Sequence, residues 1–133
     1  MIAGLLAVAA LSQAPWEGYR IVELPVPWEH IEIGDWTYLG ESTEQDVILL
    51  VQPGRQSGQV WVRYEYLPSD QRALSSRALL ALDCEGWRTQ TLQPIYYTEN
   101  NMTGERASGL NGQWLYAAPG TFGESILEFG CGV

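Results

Sequence analysis

Cys84 and Cys131 are the only cysteines in the 133 residues, and both stand where a covalent bond would have a mechanical use. Leu80, Leu82 and Cys84 share one face at period two, and Glu85-Gly86 supplies a turn directly after them, so Cys84 sits where the two strands of a hairpin meet. Cys131 lies almost at the C-terminus. A bridge between them would close a loop of about 48 residues and, by restricting the unfolded chain, contribute ~4 kcal/mol of stability. It requires an oxidising compartment. The alternative is a pair of independent buried thiols.

The other reactive side chains do not assemble into a mechanism. His30, the only histidine, is flanked by Glu29 and Glu32 and lacks a second soft ligand, so it reads as a solvent-facing histidine rather than a metal site. All seven basic residues are Arg, which leaves no lysine for a Schiff base. Ser75 and Ser76 lack the glycines that expose a nucleophilic serine on a sharp turn. Sixteen Asp and Glu keep a glycosidase-type carboxylate pair open, because separation in space decides that chemistry. The reading is therefore non-enzymatic, with no catalytic residue, metal or cofactor assigned.

Positioning the two cysteines takes one domain, and 133 residues with 46% hydrophobic content suffice for its core. Asp35 to Leu39, Val47 to Val51 and Gln59 to Leu67 read as strands, separated by the polar run Gly40 to Asp46 and by Pro53 to Gly58. Pro68 to Ala73 is a polar connection, with helix formers that suit a short helix around Asp70 to Ser76. The hairpin Ser75 to Tyr97 follows. Thr98 to Gly112 reads as a long loop with a short strand around Glu105 to Ser108, in which Asn101-Met102-Thr103 matches a glycosylation sequon. Trp114 to Ala117 is the last strand. Thr121 with Glu124 forms a capping box for a helix from Phe122 to about Phe129, with Gly130 as its stop. The sum is an α+β domain: an antiparallel sheet of about six strands, one face covered by a C-terminal helix whose end the disulfide ties to the sheet.

The N-terminal third has a different character. Residues 1–14 form an apolar run ending in Ser-Gln-Ala, which resembles a secretory signal, although it lacks a basic start and Pro15 disfavours cleavage after Ala14. The run is shorter than the ~20 residues a membrane span needs. Residues 15–34 read as an arm, with an edge strand around Tyr19 to Leu24 and Pro25-Val26-Pro27 unable to serve a ladder. Residues 35–133 form the domain proper. The formal net charge of -9 argues against nucleic acid and for a solvated acidic face that keeps an exported protein soluble.

The strand Gln59 to Leu67 carries the candidate binding surface. Val60, Val62, Tyr64 and Tyr66 occupy the face suited to the core, which leaves Trp61, Arg63 and Glu65 on the other. A Trp beside an Arg has the composition of an interface centre, so Trp61 and Arg63 are assigned to a ligand or homodimer surface. The alternative is that the arm covers Trp61 through Trp16 or Trp28.

Four stretches resemble the surface-adhesin protein E family: Asp-Trp-Thr-Tyr-Leu-Gly-Glu-Ser around Trp36, Val-Trp-Val-Arg-Tyr-Glu-Tyr, the Leu-Leu-Ala-Leu-Asp-Cys after Ser75, and Pro-Gly-Thr-Phe-Gly-Glu near the C-terminus. The resemblance covers about Asp35 to Cys131. It implies a small exported bacterial protein with an antiparallel sheet, a C-terminal helix and a disulfide, at the cell surface or in the periplasm, contacting a host or envelope protein. Two other readings stand beside it. One is a periplasmic structural or envelope-maintenance module; the other, from six Trp and seven Tyr, is a carbohydrate-binding or glycoside-cleaving domain.

Overall fold

A computed structural model describes residues 24–69 and 72–133. The apolar run and the edge strand expected around Tyr19 lie outside these residues. Six strands follow one another as a meander, each antiparallel to the next: β1 (Thr37–Ser42), β2 (Val47–Pro53), β3 (Gln59–Tyr66), β4 (Ser75–Asp83), β5 (Arg88–Glu99) and β6 (Thr103–Ser108). A two-residue β7 (Leu115–Tyr116) pairs with the start of β5, and the helix α1 (Phe122–Cys131) closes the chain.

β2 explains the layering. Its Val-Ile-Leu-Leu-Val run has no period-two alternation, and a strand of that kind must be covered on both faces. On one side, Leu49 and Val51 join Val60, Val62, Ala78 and Leu80 beneath Ile126 and Phe129 of α1. On the other, Ile48 and Leu50 meet Leu24, Trp28 and Ile31, which arrive from the segment before β1. That segment is folded by its own turns: the Trp28 N–H donates to Pro25 O at 2.7 Å and the Ile31 N–H to Trp28 O at 3.0 Å. Trp28 is wholly buried, and its indole N–H is satisfied by Glu41 Oε2 at 3.1 Å.

Several expected boundaries shift, each for a local reason. The first strand starts at Thr37 and runs to Ser42, because a bulge at Leu39 restores pairing and lets Gly40, Glu41 and Ser42 face Leu49, Ile48 and Val47. The described residues of the stretch Asp70 to Ser76, where a short helix was expected, form no helix: residues 72–74 are irregular, and Ser75 and Ser76 open β4 opposite Glu65 and Tyr64. Most of the long loop is a hairpin: β5 continues to Glu99 and turns back through Asn101 and Met102, both at positive φ of 63° and 56°. Pro94 is accommodated within β5 because it sits at an irregularity in the β4 pairing, where no ladder donor is needed.

At the helix, Thr121 is the N-cap and accepts from the Glu124 N–H, while the Glu124 carboxylate accepts from the Gly120 N–H at 2.9 Å. Gly130 is not the stop. The helix runs on to Cys131 and ends at Gly132, which takes the left-handed conformation at φ 78° and donates to Glu128 O. Gly130 has another use, since a Cβ there would run into Leu82 and lie 2.7 Å from Val60 Cγ2. Its bareness lets the last turn settle on the sheet and brings Cys131 to Cys84, with their Cα atoms 5.9 Å apart and the disulfide formed.

Two outcomes follow. Replacing both cysteines by serine should lower unfolding free energy by ~4 kcal/mol, seen as an earlier urea midpoint that reductant does not shift further. Tyr64 packs between sheet and helix against Phe122, with ring centroids 6.0 Å apart, and burial, then the charge on Tyr66, push its phenol up to about 12. Folding thus favours the neutral phenol: its contribution is complete below the unfolded pKa near 10 and is lost as pH rises through the folded value. Tyr64→Phe should flatten this alkaline loss, at most ~3 kcal/mol, in urea unfolding measured on either side of pH 10.

Candidate functional site

Trp61, Arg63 and Glu65 do share the face opposite α1, but they do not share one fate. Arg63 is 2% exposed and Glu65 wholly buried, with Arg63 Nε 2.8 Å from Glu65 Oε2. The guanidinium is consumed within the protein: Nη1 donates to Glu32 O at 3.0 Å, Nη2 to Asn101 Oδ1 at 3.1 Å, and the Trp36 ring lies 5.8 Å from it. Glu65 in turn accepts from the Asn101 N–H and from Asn100 Nδ2, the latter at 3.0 Å. Arg63 is therefore a structural cross-link rather than a surface contact. Alternation placed it on the right face; the segment before β1 then covered it.

Asn101 completes this junction. Its Oδ1 accepts from the Glu32 N–H at 2.8 Å as well as from Arg63, and its Nδ2 donates to His30 O at 3.3 Å. Both ends of the sequon's amide are thus turned inward, and Thr103 Oγ1 is spent on Asn100 O. The triplet builds a turn. His30 itself is exposed, with its ring stacked 6.5 Å from Trp28. Among the described residues no cluster of three or more His, Cys, Asp or Glu could hold a metal.

Trp61 is only partly buried, and the Arg77 guanidinium lies 5.9 Å from its ring. Cross-strand pairing extends this face in rows. Gln52, Trp61, Leu79 and Leu92 form one, Gln59, Ala81 and Gln90 the next, and Asp83, Arg88 and Tyr116 the last. In the last row the polar and aromatic groups are fixed on one another. Arg88 Nε donates to Asp83 Oδ2 at 2.7 Å, and its guanidinium lies 5.0 Å from the Trp114 ring and 5.9 Å from that of Tyr116. The Gly86 N–H and then Arg88 hold the Asp83 carboxyl below its usual pKa. Trp114 is 38% exposed, Tyr116 77%, and Leu115 between them is also open.

This aromatic and arginine cluster was not assigned from sequence, where Trp114 to Ala117 reads as an ordinary strand. The signal lay in the triplet Trp-Leu-Tyr itself. Three consecutive large apolar residues cannot all face one core in a strand, and β7 has only two paired residues at the sheet's edge to hide them.

The family model for surface-adhesin protein E matches residues 36–132. The chain belongs to the surface-adhesin protein E family. Its fold is similar to that of Haemophilus influenzae protein E in crystal form II, with 84% of this chain covering 96% of that one at a TM-score of 0.51 and 17% identity. A selenomethionine form of the same protein aligns over 84% and 95% of the two chains, at a TM-score of 0.49 and 16% identity. At such identity the likeness is one of fold. No curated protein matches the chain.

The buried junction gives a direct expectation. Glu65→Gln leaves Arg63 charged without its counter-ion and should cost about 3–5 kcal/mol. Replacing both partners by apolar residues of similar volume should cost clearly less, so chemical denaturation of the single and double variants separates a lost ion pair from lost packing.

Proposed function

We propose that this member of the surface-adhesin protein E family is an exported, non-enzymatic binding protein that contacts a protein ligand at the cell surface or within the envelope. The observation that carries the reading is the open row of Arg88, Trp114 and Tyr116, continued toward Trp61 and Arg77. Trp, Tyr and Arg are the residues in which binding energy concentrates, and here the arginine is already oriented by Asp83 and two rings, so little side-chain freedom remains to be lost on contact. The formal charge of -9 adds long-range steering toward basic partners. The family's description as a surface adhesin supports the same reading. A periplasmic structural module using the same face is the second reading, favoured by the disulfide alone.

Pull-down against envelope and host-matrix fractions with the wild type and with Trp114→Ser/Tyr116→Ser tests it. The double variant should lose at least ~10-fold in affinity with its melting temperature unchanged, since both side chains are exposed. Unchanged capture would remove this surface from the function. For export, intact mass of the secreted material should show the N-terminal apolar run removed, and a mature species retaining Met1 would overturn that part.

A further inference from the structure

A second concave site lies on the opposite face of the sheet, at the end not used by the cluster above. Tyr64, Ser76, Tyr96 and Ala107 are cross-strand partners in one row. With only the small side chain of Ala107 beside it on β6, the Tyr96 ring stands in a groove of about 410 Å³, lined also by Arg72, Thr98, Glu105 and Arg106. Its size is within the range of small-ligand sites.

The groove is built rather than incidental. Tyr96 is 46% exposed, yet its ring is wedged in place: a Cβ on Gly109 would come within 2.8 Å of Tyr96 Cε2 and 3.1 Å of Pro94 Cγ. Arg72 is laid over the Tyr66 ring at 4.4 Å, and burial raises the Tyr66 phenol's pKa while Arg72 lowers it. That aromatic contact fixes the guanidinium without using its N–H donors. Among the described residues no carboxylate pairs with Arg72. Opposite, the Glu105 N–H donates to Thr98 Oγ1 at 3.0 Å, which pins the β6 wall and leaves the Glu105 carboxylate as an acceptor.

We infer that the Tyr96 groove binds an acidic saccharide unit, a pyranose ring bearing a carboxylate. Three complementary groups are required of the ligand, and this class supplies all three. The C–H face of a pyranose is apolar and packs on an aromatic face. The sugar carboxylate offers two oxygens to the forked donors of Arg72, a charge-assisted pairing. The ring hydroxyls donate to Glu105, which would repel a ligand presenting only negative charge on that side. An inorganic anion meets Arg72 but neither of the others, and a neutral sugar forgoes the guanidinium. The site lies on the α1 side of the sheet and so does not depend on the Trp114 and Tyr116 reading.

The test is a titration of the ¹⁵N-labelled protein with D-glucuronate, methyl glucoside and sulfate, followed by amide shifts. Glucuronate should perturb Tyr96, Thr98 and Glu105 with Kd of order 1 mM, at least ~10-fold tighter than methyl glucoside or sulfate. Tyr96→Ala and Arg72→Gln should each weaken it ~10-fold or more, while Trp114→Ser/Tyr116→Ser leaves it unchanged. Absence of perturbation by glucuronate, or equal response to sulfate, overturns the proposal. So does full binding by Arg72→Gln. If Tyr96→Ala fails to fold, Tyr96→Leu keeps the bulk while removing the aromatic face, and unchanged affinity in that variant has the same meaning.

Discussion

The pairing of Arg63 with Glu65 constrains more of this structure than any other contact. Two full charges on one strand, both out of water, are costly unless every lone pair and proton finds a partner. The partners come from three places: Glu32 in the segment before β1, the Asn100 and Asn101 turn between β5 and β6, and β3 itself. Satisfying one ion pair therefore fixes the path of the N-terminal segment against a hairpin turn sixty-nine residues later, through the Glu32 N–H on Asn101 Oδ1. Hydrophobic contact alone would permit that segment to slide over Ile48 and Leu50; the directional bonds do not.

With that layer fixed, the sheet is closed on both faces at its β1 to β3 end and progressively more open toward β5 and β7. Two apolar clusters, one beneath α1 and one beneath the N-terminal segment, share β2 between them. The disulfide pulls in the same direction, because it holds the last turn of α1 to the β4–β5 hairpin and keeps the helix over the core. What remains for partners is the far half of the sheet. On one face it presents Arg88, Trp114 and Tyr116, and on the other Tyr96 with Arg72.

Among the described residues, four arginines have their guanidinium on an aromatic face or within an ion pair beside one: Arg63 with Trp36, Arg72 with Tyr66, Arg77 with Trp61 and Arg88 with Trp114. The same side-chain pairing thus serves a buried cross-link and open surfaces alike. Solvent cover decides between them. Where the chain lies over the pair, as at Arg63, the arginine is internal; Arg77 is half-covered and donates to the Tyr97 hydroxyl, and Arg72 is left exposed.

The sequence by itself determined the strands, their alternation, the capping of the helix and the cysteines that join its end to the hairpin. These are local or binary properties: period-two patterning, turn chemistry and a pair of thiols with no other partner. It also determined that Arg63 and Glu65 lie on the face away from Val60 and Val62, since side chains alternate strictly along a strand. Only the tertiary structure decided what that face meets. Trp61 and Arg63 read identically by pattern, yet Glu32 and Trp36 close over Arg63 while Trp61 stays partly open, because the hydrogen bonds that seat Glu32 come from Arg63 and from Asn101, remote in sequence. The turn at Asn101 and Met102 was hidden for a related reason, as a polar stretch acquires a hairpin's shape only when its amides have a buried carboxylate to bind. Likewise the groove at Tyr96 depends on Ala107 of β6 falling beside it, a register that no single strand contains.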